Sequence, residues 1–385
     1  MESFDLQNFK TINAIIERDS KDATYKFALL RGVIEISQEY QHMRKEVGDR
    51  VSLPLGLLIE KWLLYYYPII ESQEFLPQLH GEKADSAHKR ISFRQMFRKV
   101  TDYYAGKGGL SVFYNDYVNG SLPPEISQTV RELMGKLKTT ITTMPMKHLG
   151  RSQEHRDFSI FSYNHDDRRI PAGMPICQES VVHYSGTFSF RKDLFLVFQY
   201  LGSFISGDDS LVYQWAEFTS KASGGSLAVA SVMETLRTVP ETSRAVSEAR
   251  QVYTRLYQNR HTLECVWSGK PINDIAMLHV DHMIPFAVWK NNNLWNLLPA
   301  LESVNGKKRD RIPTPQFIEK RSDTIVTYWD SMYEVYPRRF SREINLALTG
   351  LPEKIPGWQD VALERLREKC DYLIEVRGFD AWSLA

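Results

Sequence analysis

The sequence contains very little cysteine. Cys177, Cys265 and Cys370 are widely separated in 385 residues, and three such cysteines do not make a disulfide framework. The class of small disulfide-stabilised secreted domains is therefore excluded, and we expect a reducing compartment. The first residues also lack the basic and apolar regions of a signal peptide, so we expect a cytoplasmic protein.

Long hydrophobic runs are missing as well. The most apolar stretch, residues 53–70, contains the charged pair Glu60-Lys61 and the prolines Pro54 and Pro68. It falls short of the roughly 20 uninterrupted apolar residues that a membrane span needs. We therefore expect no membrane association, and we interpret the stretch as a buried core helix bounded by prolines.

The chain has no large excess of either charge. Its formal net charge is +1, with nine Lys/Arg against six Asp/Glu in residues 251–320 and nine against eleven in residues 321–385. So small an excess does not by itself predict a nucleic-acid partner, because the globally basic surface of many such proteins is missing.

Hydrophobic periodicity predicts a mainly α protein with a small α+β part. Helical patterns dominate the first 150 residues and return at 228–236, 242–257, 315–335, 338–349 and 359–376, whereas alternation at 158–163 and 181–190 predicts a few strands. We expect three parts. They are a mostly helical domain at 1–250 with strands near 157–190, an α+β module at 251–320 and a helical C-terminal segment at 321–385.

Two short motifs are more typical of loops than of binding sites. Residues 105–109, Ala-Gly-Lys-Gly-Gly, lack the spacing of a phosphate-binding loop, so we predict a surface turn. Residues 164–169, Asn-His-Asp-Asp-Arg-Arg, offer metal-binding groups, but adjacent residues in a turn seldom converge on one ion. We predict a solvated loop there.

The segment from Cys265 to Pro313 combines three kinds of group that phosphodiester hydrolysis needs: a base for water, a ligand for a metal ion and cations for phosphate. Asp281 and His282 are adjacent, and two neighbours on a strand can serve one site only where the strand ends or bulges. Pro285 is consistent with such an end. Residues 294–299 can form the return strand, and 301–310 a short helix.

This segment resembles the HNH nuclease family, whose core is the ββα-metal fold. The likeness covers about 50 residues and rests on three motifs: Asp-His-x-Ile-Pro-Phe-x-x-Trp from Asp281, Asn-Asn-x-Leu-Trp-Asn-Leu-x-Pro from Asn291 and Asn-x-Lys-Lys-x-Asp-x-x-Pro from Asn305. It is similar to the HNH domain of RNA-guided CRISPR nucleases, and more closely to bacterial HNH proteins. By analogy alone, restriction or anti-phage defence is the expected setting.

The resemblance implies a role for each polar position. Asp281 and Asn305 would hold one Mg²⁺ or Mn²⁺ ion, His282 would be the general base, and Asn296 would brace the loop that carries the base. Lys308 would face the phosphate. His279 could be a third ligand, but we favour a supporting role. The DNA-binding residues would be Lys307, Lys308, Arg309 and Arg311.

The pattern departs from the family at its zinc site. Many HNH domains bind a structural zinc through two Cys-x-x-Cys pairs, but here the four positions hold Cys265, Ser268, Leu301 and Val304. One thiol cannot complete such a site. We therefore expect no structural zinc, and we expect apolar packing against neighbouring helices to support the module instead.

The sequence thus predicts a metal-dependent DNA endonuclease, whose partners could include proteins of a defence system or a second copy of the chain. Two other hypotheses about the function remain open. One is a catalytically silent nucleic-acid-binding or regulatory subunit, and the other is an RNA-cutting toxin.

Overall fold

The structure is a computed structural model that describes residues 22–85, 89–150, 159–164, 169–200, 202, 211–350 and 356–384. Its contacts divide the chain into two compact units, 1–241 and 242–385. The fold is mainly α with small sheets, which confirms the predicted class. The boundary expected near residue 250 lies inside the helix Ser247–Arg260, whereas the second unit begins before this helix, at Thr242.

The first unit is built mainly from helices. In chain order they are α1 Tyr25–Glu39, α2 Leu55–Glu71, α3 Arg94–Tyr104, α4 Gly109–Asn119, α5 Pro124–Thr143, α6 Pro145–His148, α7 Gln178–Tyr184, α8 Lys192–Tyr200, α9 Leu211–Ala222 and α10 Val229–Arg237.

Helix α2 is the apolar stretch that the sequence singled out, and it is a buried core helix as predicted. Trp62 and Tyr66 are fully buried, and their rings pack against Phe93. Pro54 precedes the helix, but Pro68 lies inside it rather than at its end, where it removes one backbone donor. None of the helices in the described part of the chain combines the length and apolarity that crossing a bilayer demands.

A four-stranded antiparallel sheet packs within this unit. Its strands are β1 Lys45–Val47, β2 Arg50–Pro54, β3 Ser162–Asn164 and β4 Thr187–Arg191, and their order in the sheet is β1-β2-β4-β3. The strand predicted from Val181 to Tyr184 is wrong, because α7 occupies these residues. The Ser180 hydroxyl accepts a hydrogen bond from the Cys177 backbone and so caps the helix, and Gly186, with a φ of 83°, makes the turn into β4.

The two motifs judged to be loops have different outcomes. Residues 105–108 form an exposed turn, which confirms that prediction. The loop predicted at 164–169 falls mostly on residues 165–168, which lie outside the described residues, as does Phe158 of the predicted strand.

The second unit places a small α+β module among helices. Its elements are α11 Ser247–Arg260, β5 Leu263–Glu264, β6 Pro271–Ile272, β7 Leu278–His282, α12 Phe286–Trp289, β8 Leu297–Leu301, α13 Glu302–Lys308, β9 Ile312–Pro313, α14 Pro315–Lys320, α15 Ser322–Val335, α16 Pro337–Ile344, a π-helical turn Asn345–Thr349, α17 Trp358–Glu375 and β10 Ala381–Trp382. The helix predicted from residue 242 begins only at Ser247.

The C-terminal helices share one core with the module. Trp267, Trp295 and Trp329 are among its fully buried side chains, and the Trp267 ring packs against Phe317 and Trp382. Strand β10 pairs in parallel with β9. Residues 251–320 and 321–385 are therefore packed as one body, because the apolar faces of the short module are covered by the helices that follow it.

Glu60 of α2 is a buried carboxyl group whose Oε1 accepts a hydrogen bond from Gln178 Nε2 at 2.9 Å. Burial raises its pKa from 4.5 to about 7. The folded chain therefore holds this proton more tightly than the unfolded chain does, and the free energy of unfolding falls as the pH rises through that window.

We predict that Glu60→Gln, which cannot ionise, removes this loss. The variant should match the wild type in stability near pH 5 and exceed it near pH 8, as measured by urea unfolding at both pH values. Glu125→Gln, at an exposed position of α5, is the control and should leave the difference between the two pH values unchanged. An unaltered pH dependence in Glu60→Gln would contradict the prediction.

Candidate active site

The site is built on a β-hairpin and one short helix. Strands β7 and β8 pair in antiparallel register, with Asp281 opposite Leu298 and His282 opposite Leu297, and α13 follows β8 directly. The ββα arrangement predicted here is confirmed. The return strand starts three residues later than expected, because residues 294–296 form a 3₁₀ turn before β8.

Asp281 is buried within this unit. Its side chain is 4% exposed, and its Oδ2 accepts a hydrogen bond from Trp267 Nε1 at 2.7 Å and lies 3.2 Å from Lys308 Nζ. The structure shows no hydrogen bond to the second oxygen, Oδ1, among the described residues. A carboxylate this deeply buried requires partners such as Trp267 Nε1 and Lys308 Nζ, because an unpaired charge would be costly away from water.

Lys308 lies inside the module, although the resemblance would have it face the phosphate. Its side chain is 0% exposed, and Nζ donates to the backbone carbonyl of His282 at 2.6 Å and pairs with Asp281. Burial lowers the pKa of this ammonium, while the Asp281 carboxylate acts in the opposite direction. Helix α13 turns Lys308 toward the hairpin and away from solvent.

His282 is also buried, and its ring nitrogens are in different surroundings. Nε2 lies 3.2 Å from Asn292 Oδ1, whereas Nδ1 is buried and has no hydrogen-bond partner among the residues that the structure describes. The pKa of His282 is lowered to about 4, chiefly by burial and also by the charges of Arg244 and Lys308, while the contact with Asn292 and the charge of Asp281 act to raise it. The imidazole is therefore neutral near pH 7.

Asn292 determines which nitrogen of that neutral ring carries the proton. Its Oδ1 accepts from Ala245 N at 2.9 Å and its Nδ2 donates to Ser243 O at 2.8 Å, which assigns the orientation of the amide. Since Oδ1 is an acceptor, His282 Nε2 must be the donor. The lone pair is then on Nδ1, and that atom is available to accept a proton.

Asn296 closes the loop that follows His282. Its side chain is completely buried, with Oδ1 accepting from Ile284 N at 2.8 Å and Nδ2 donating to Ile284 O at 3.0 Å. The Asn296 carbonyl also accepts from Met283 N at 2.8 Å. These contacts are the ones that a residue bracing the loop of the base would make.

The other predicted residues lie on or beside α13. Asn305 is half-buried one turn before Lys308, and His279 lies with Nε2 3.7 Å from Glu302 Oε2 at the start of the helix. Lys307 and Arg309 are exposed, and Arg311 is half-buried with hydrogen bonds to the carbonyls of α13. Only Lys308 of the predicted cationic set is fully buried.

The oxygen donors near α13 fit a hard divalent cation. Asp281 offers a carboxylate oxygen and Asn305 an amide oxygen, the ligand types that Mg²⁺ and Mn²⁺ prefer, usually together with several waters. Among the residues that the structure describes, no group of three or more His, Cys, Asp or Glu could hold a metal. A two-ligand site completed by water does not require such a group.

Cys265, at the position where many HNH domains begin their zinc site, is buried in the apolar core. Its Sγ accepts a hydrogen bond from Leu301 N at 3.3 Å. Val304 is buried, and Leu301 packs against the same core. Apolar packing thus occupies the region in which the other zinc ligands would lie.

Three residues at the site were not found from the sequence: Trp267, Asn292 and Arg244. Nothing in the sequence indicates that Trp267 donates to Asp281, and Arg244 lies in a pattern that predicts a helix, whereas the helix begins only at Ser247. Asn292 stood inside a recognised motif, Asn291-Asn292-Asn293, but nothing in that run of three indicated which amide meets the histidine. Their contacts with the site exist only in the folded chain, so the sequence pattern alone does not identify them.

The comparisons with known proteins agree with this geometry. Residues 265–314 match the family described as HNH endonuclease, a match that takes in β7, β8 and α13. It supports a nuclease module and a nucleic-acid substrate, and HNH endonucleases generally use a divalent metal. No curated protein and no solved structure matches the chain.

A second family covers most of the first unit. Residues 5–236 match the family described as "Domain of unknown function (DUF8808)". Because this match takes in more than half of the 385 residues, the protein belongs to the DUF8808 family. It carries an HNH module that follows the family-defining domain in the sequence.

Proposed function

We propose that the protein is a divalent-metal-dependent endonuclease that hydrolyses phosphodiester bonds of DNA, with His282 as the general base. One observation carries the proposal: the buried His282 is neutral and its Nδ1 is unpartnered, next to Asp281 in the hairpin that matches HNH endonucleases. A structural histidine in a core would normally satisfy both of its ring nitrogens.

The chemistry of the base follows from its contacts. His282 takes a proton from the attacking water at Nδ1, and the hydrogen bond to Asn292 keeps the other nitrogen protonated while it does so. Asn296 holds the loop after His282, so the ring has a fixed direction. A base already deprotonated near pH 7 needs no prior proton loss.

Asp281 and Asn305 would hold the divalent ion, Mg²⁺ or Mn²⁺. When bound, the ion would neutralise charge on the phosphate and the leaving oxygen. Lys308 has a positioning role in this proposal, because its ammonium joins the Asp281 carboxylate to the His282 carbonyl. His279, beside Glu302, has a supporting role near the start of α13.

The exposed cations at the end of α13 would bind the DNA backbone. Lys307 and Arg309 face solvent on either side of the buried Lys308, and Arg311 follows them. Cations arranged in this way contact phosphates without reading sequence. The biological setting, bacterial restriction or anti-phage defence, rests on the family resemblance alone, as do partner proteins of such a system or a second copy of the chain.

The first prediction from the proposed function concerns the general base. We expect His282→Ala to reduce plasmid cleavage in Mg²⁺ or Mn²⁺ by about 10² to 10⁴-fold, the usual contribution of a positioned base. His261→Asn is the control, because His261 is exposed with a φ of 58°, which asparagine tolerates. Cleavage of single-stranded RNA in preference to plasmid would favour the toxin reading, and wild-type binding without any cleavage would favour the silent subunit.

The second prediction concerns the ion. Asp281→Asn retains the size of the buried side chain, and Asn305→Ala removes an amide oxygen. Both should raise the metal concentration needed for half-maximal cleavage, while DNA affinity in EDTA stays as in the wild type. Asp323→Asn, at an exposed position of α15, serves as the control. An unchanged metal midpoint in both site variants would remove these residues from the ion.

The third prediction concerns DNA affinity. Each phosphate contact contributes about 0.9 to the slope of log affinity against log salt on duplex DNA. Replacing Lys307 and Arg309 together by glutamine should flatten that slope by about one to two units if both touch phosphate. Lys320→Gln, at an exposed position of α14, is the control. A slope equal to that of the wild type would show that DNA binds elsewhere.

A further inference from the structure

The outer edge of β7 is lined by cationic side chains. In an antiparallel hairpin the carbonyls of alternate residues point to the same side, and three of these on β7 accept hydrogen bonds from cations. Arg250 Nη1 lies 2.7 Å from Leu278 O, Arg244 Nη2 lies 3.5 Å from Val280 O, and Lys308 Nζ lies 2.6 Å from His282 O. Positive charge therefore follows this strand to the proposed base.

Arg244 belongs to a short segment that is hydrogen-bonded to the loop carrying Asn292, the partner of His282. Residues 242–245 precede α11, and the loop at 290–292 holds them by three hydrogen bonds. Thr242 Oγ1 donates to Lys290 O at 3.0 Å, Asn292 Nδ2 donates to Ser243 O at 2.8 Å, and Ala245 N donates to Asn292 Oδ1 at 2.9 Å. The same Oδ1 accepts from His282 Nε2, so one amide connects the segment and the base.

The guanidinium of Arg244 contacts the carbonyl of Val280, two residues before His282, and has few partners in the protein. Its charge is one of the causes that lower the pKa of His282. Arg244 is exposed, its contact with Val280 is the longest of the three at the strand edge, and it forms no ion pair with a carboxylate among the described residues. Most of its five N–H donors are therefore available to an anion.

We propose that Arg244 binds a phosphate of the DNA strand in the active site, where the 242–245 segment holds its guanidinium next to His282. The choice of DNA as the ligand rests on the proposed function. Arginine suits this task because its planar guanidinium can bind two phosphate oxygens at once, whereas lysine offers a single point charge.

Arg250 is the matched control. It is exposed, it lies on the same edge of the same strand, and it makes a shorter contact with a β7 carbonyl. Leu278 is at the far end of β7 from His282, so Arg250 satisfies the strand edge without facing the base. If arginine at this edge only caps carbonyls, the loss of Arg250 should matter at least as much as the loss of Arg244.

The test compares Arg244→Gln, Arg244→Lys and Arg250→Gln in the full-length chain. The affinity for a fluorescent duplex is measured by anisotropy over a range of NaCl concentrations in EDTA, where no cleavage occurs. Arg244→Gln should flatten the log–log salt slope by about 0.9, as expected for one lost phosphate contact. Arg244→Lys should keep the slope, and Arg250→Gln should match the wild type.

Cleavage in Mg²⁺ is measured on the same variants. We expect kcat/KM to fall by about 10- to 100-fold in Arg244→Gln, less than this in Arg244→Lys, and not at all in Arg250→Gln. Thermal melting of all three confirms that they are folded. Equal changes in Arg244→Gln and Arg250→Gln, a wild-type salt slope in Arg244→Gln, or no duplex binding by the wild-type protein would each overturn the proposal.

The two measurements separate this proposal from the proposed function. If the wild type binds duplex but does not cut it, the nuclease assignment fails, yet the anisotropy series still decides whether Arg244 contacts phosphate. If the wild type cuts and Arg244→Gln keeps the wild-type slope, the nuclease stands and the Arg244 contact is rejected.

Discussion

The buried ammonium of Lys308 is the interaction on which the geometry of the module depends. It joins the last turn of α13 to the Asp281 side chain and to the carbonyl of His282, at the end of β7. Removing one member of a buried pair costs about 3–5 kcal/mol, because the remaining charge has no partner. The helix that would supply Asn305 is thereby held in one position against the hairpin that supplies Asp281.

Around this ion pair, the module combines a buried charge with a neutral imidazole. Asp281 has Trp267 and Lys308 as donors, while His282 next to it remains uncharged because it is buried and the charges of Arg244 and Lys308 disfavour a proton. Asp281 and His282 are the last two residues of β7, and their side chains have different partners. The contact with Asn292 gives His282 a defined tautomer.

Packing gives the module a support that HNH domains often obtain from zinc. The Cys265 thiol accepts a hydrogen bond from Leu301 N within an apolar core. The rings of Trp267, Phe317 and Trp382 pack against one another, and β10 pairs with β9, so residues 381–382 pack against the module. The C-terminal helices enlarge the core of the module, and a larger core buries more apolar surface.

The sequence by itself determined the ββα unit, because Pro285 and the Asn305–Lys308 spacing are local and the polar positions occur in a specific order. It also determined the core helix α2. It did not determine that α7 replaces a strand or that α11 begins only at Ser247, since capping and loop contacts overrode periodicity there. Tertiary structure alone decided that Lys308 is buried, that Asn292 assigns the tautomer of His282 and that Arg244 contacts Val280 at the edge of β7. Each of these depends on which side chains meet across the fold, because residues 10, 26 or 36 positions apart in the chain carry no local sign that they will touch.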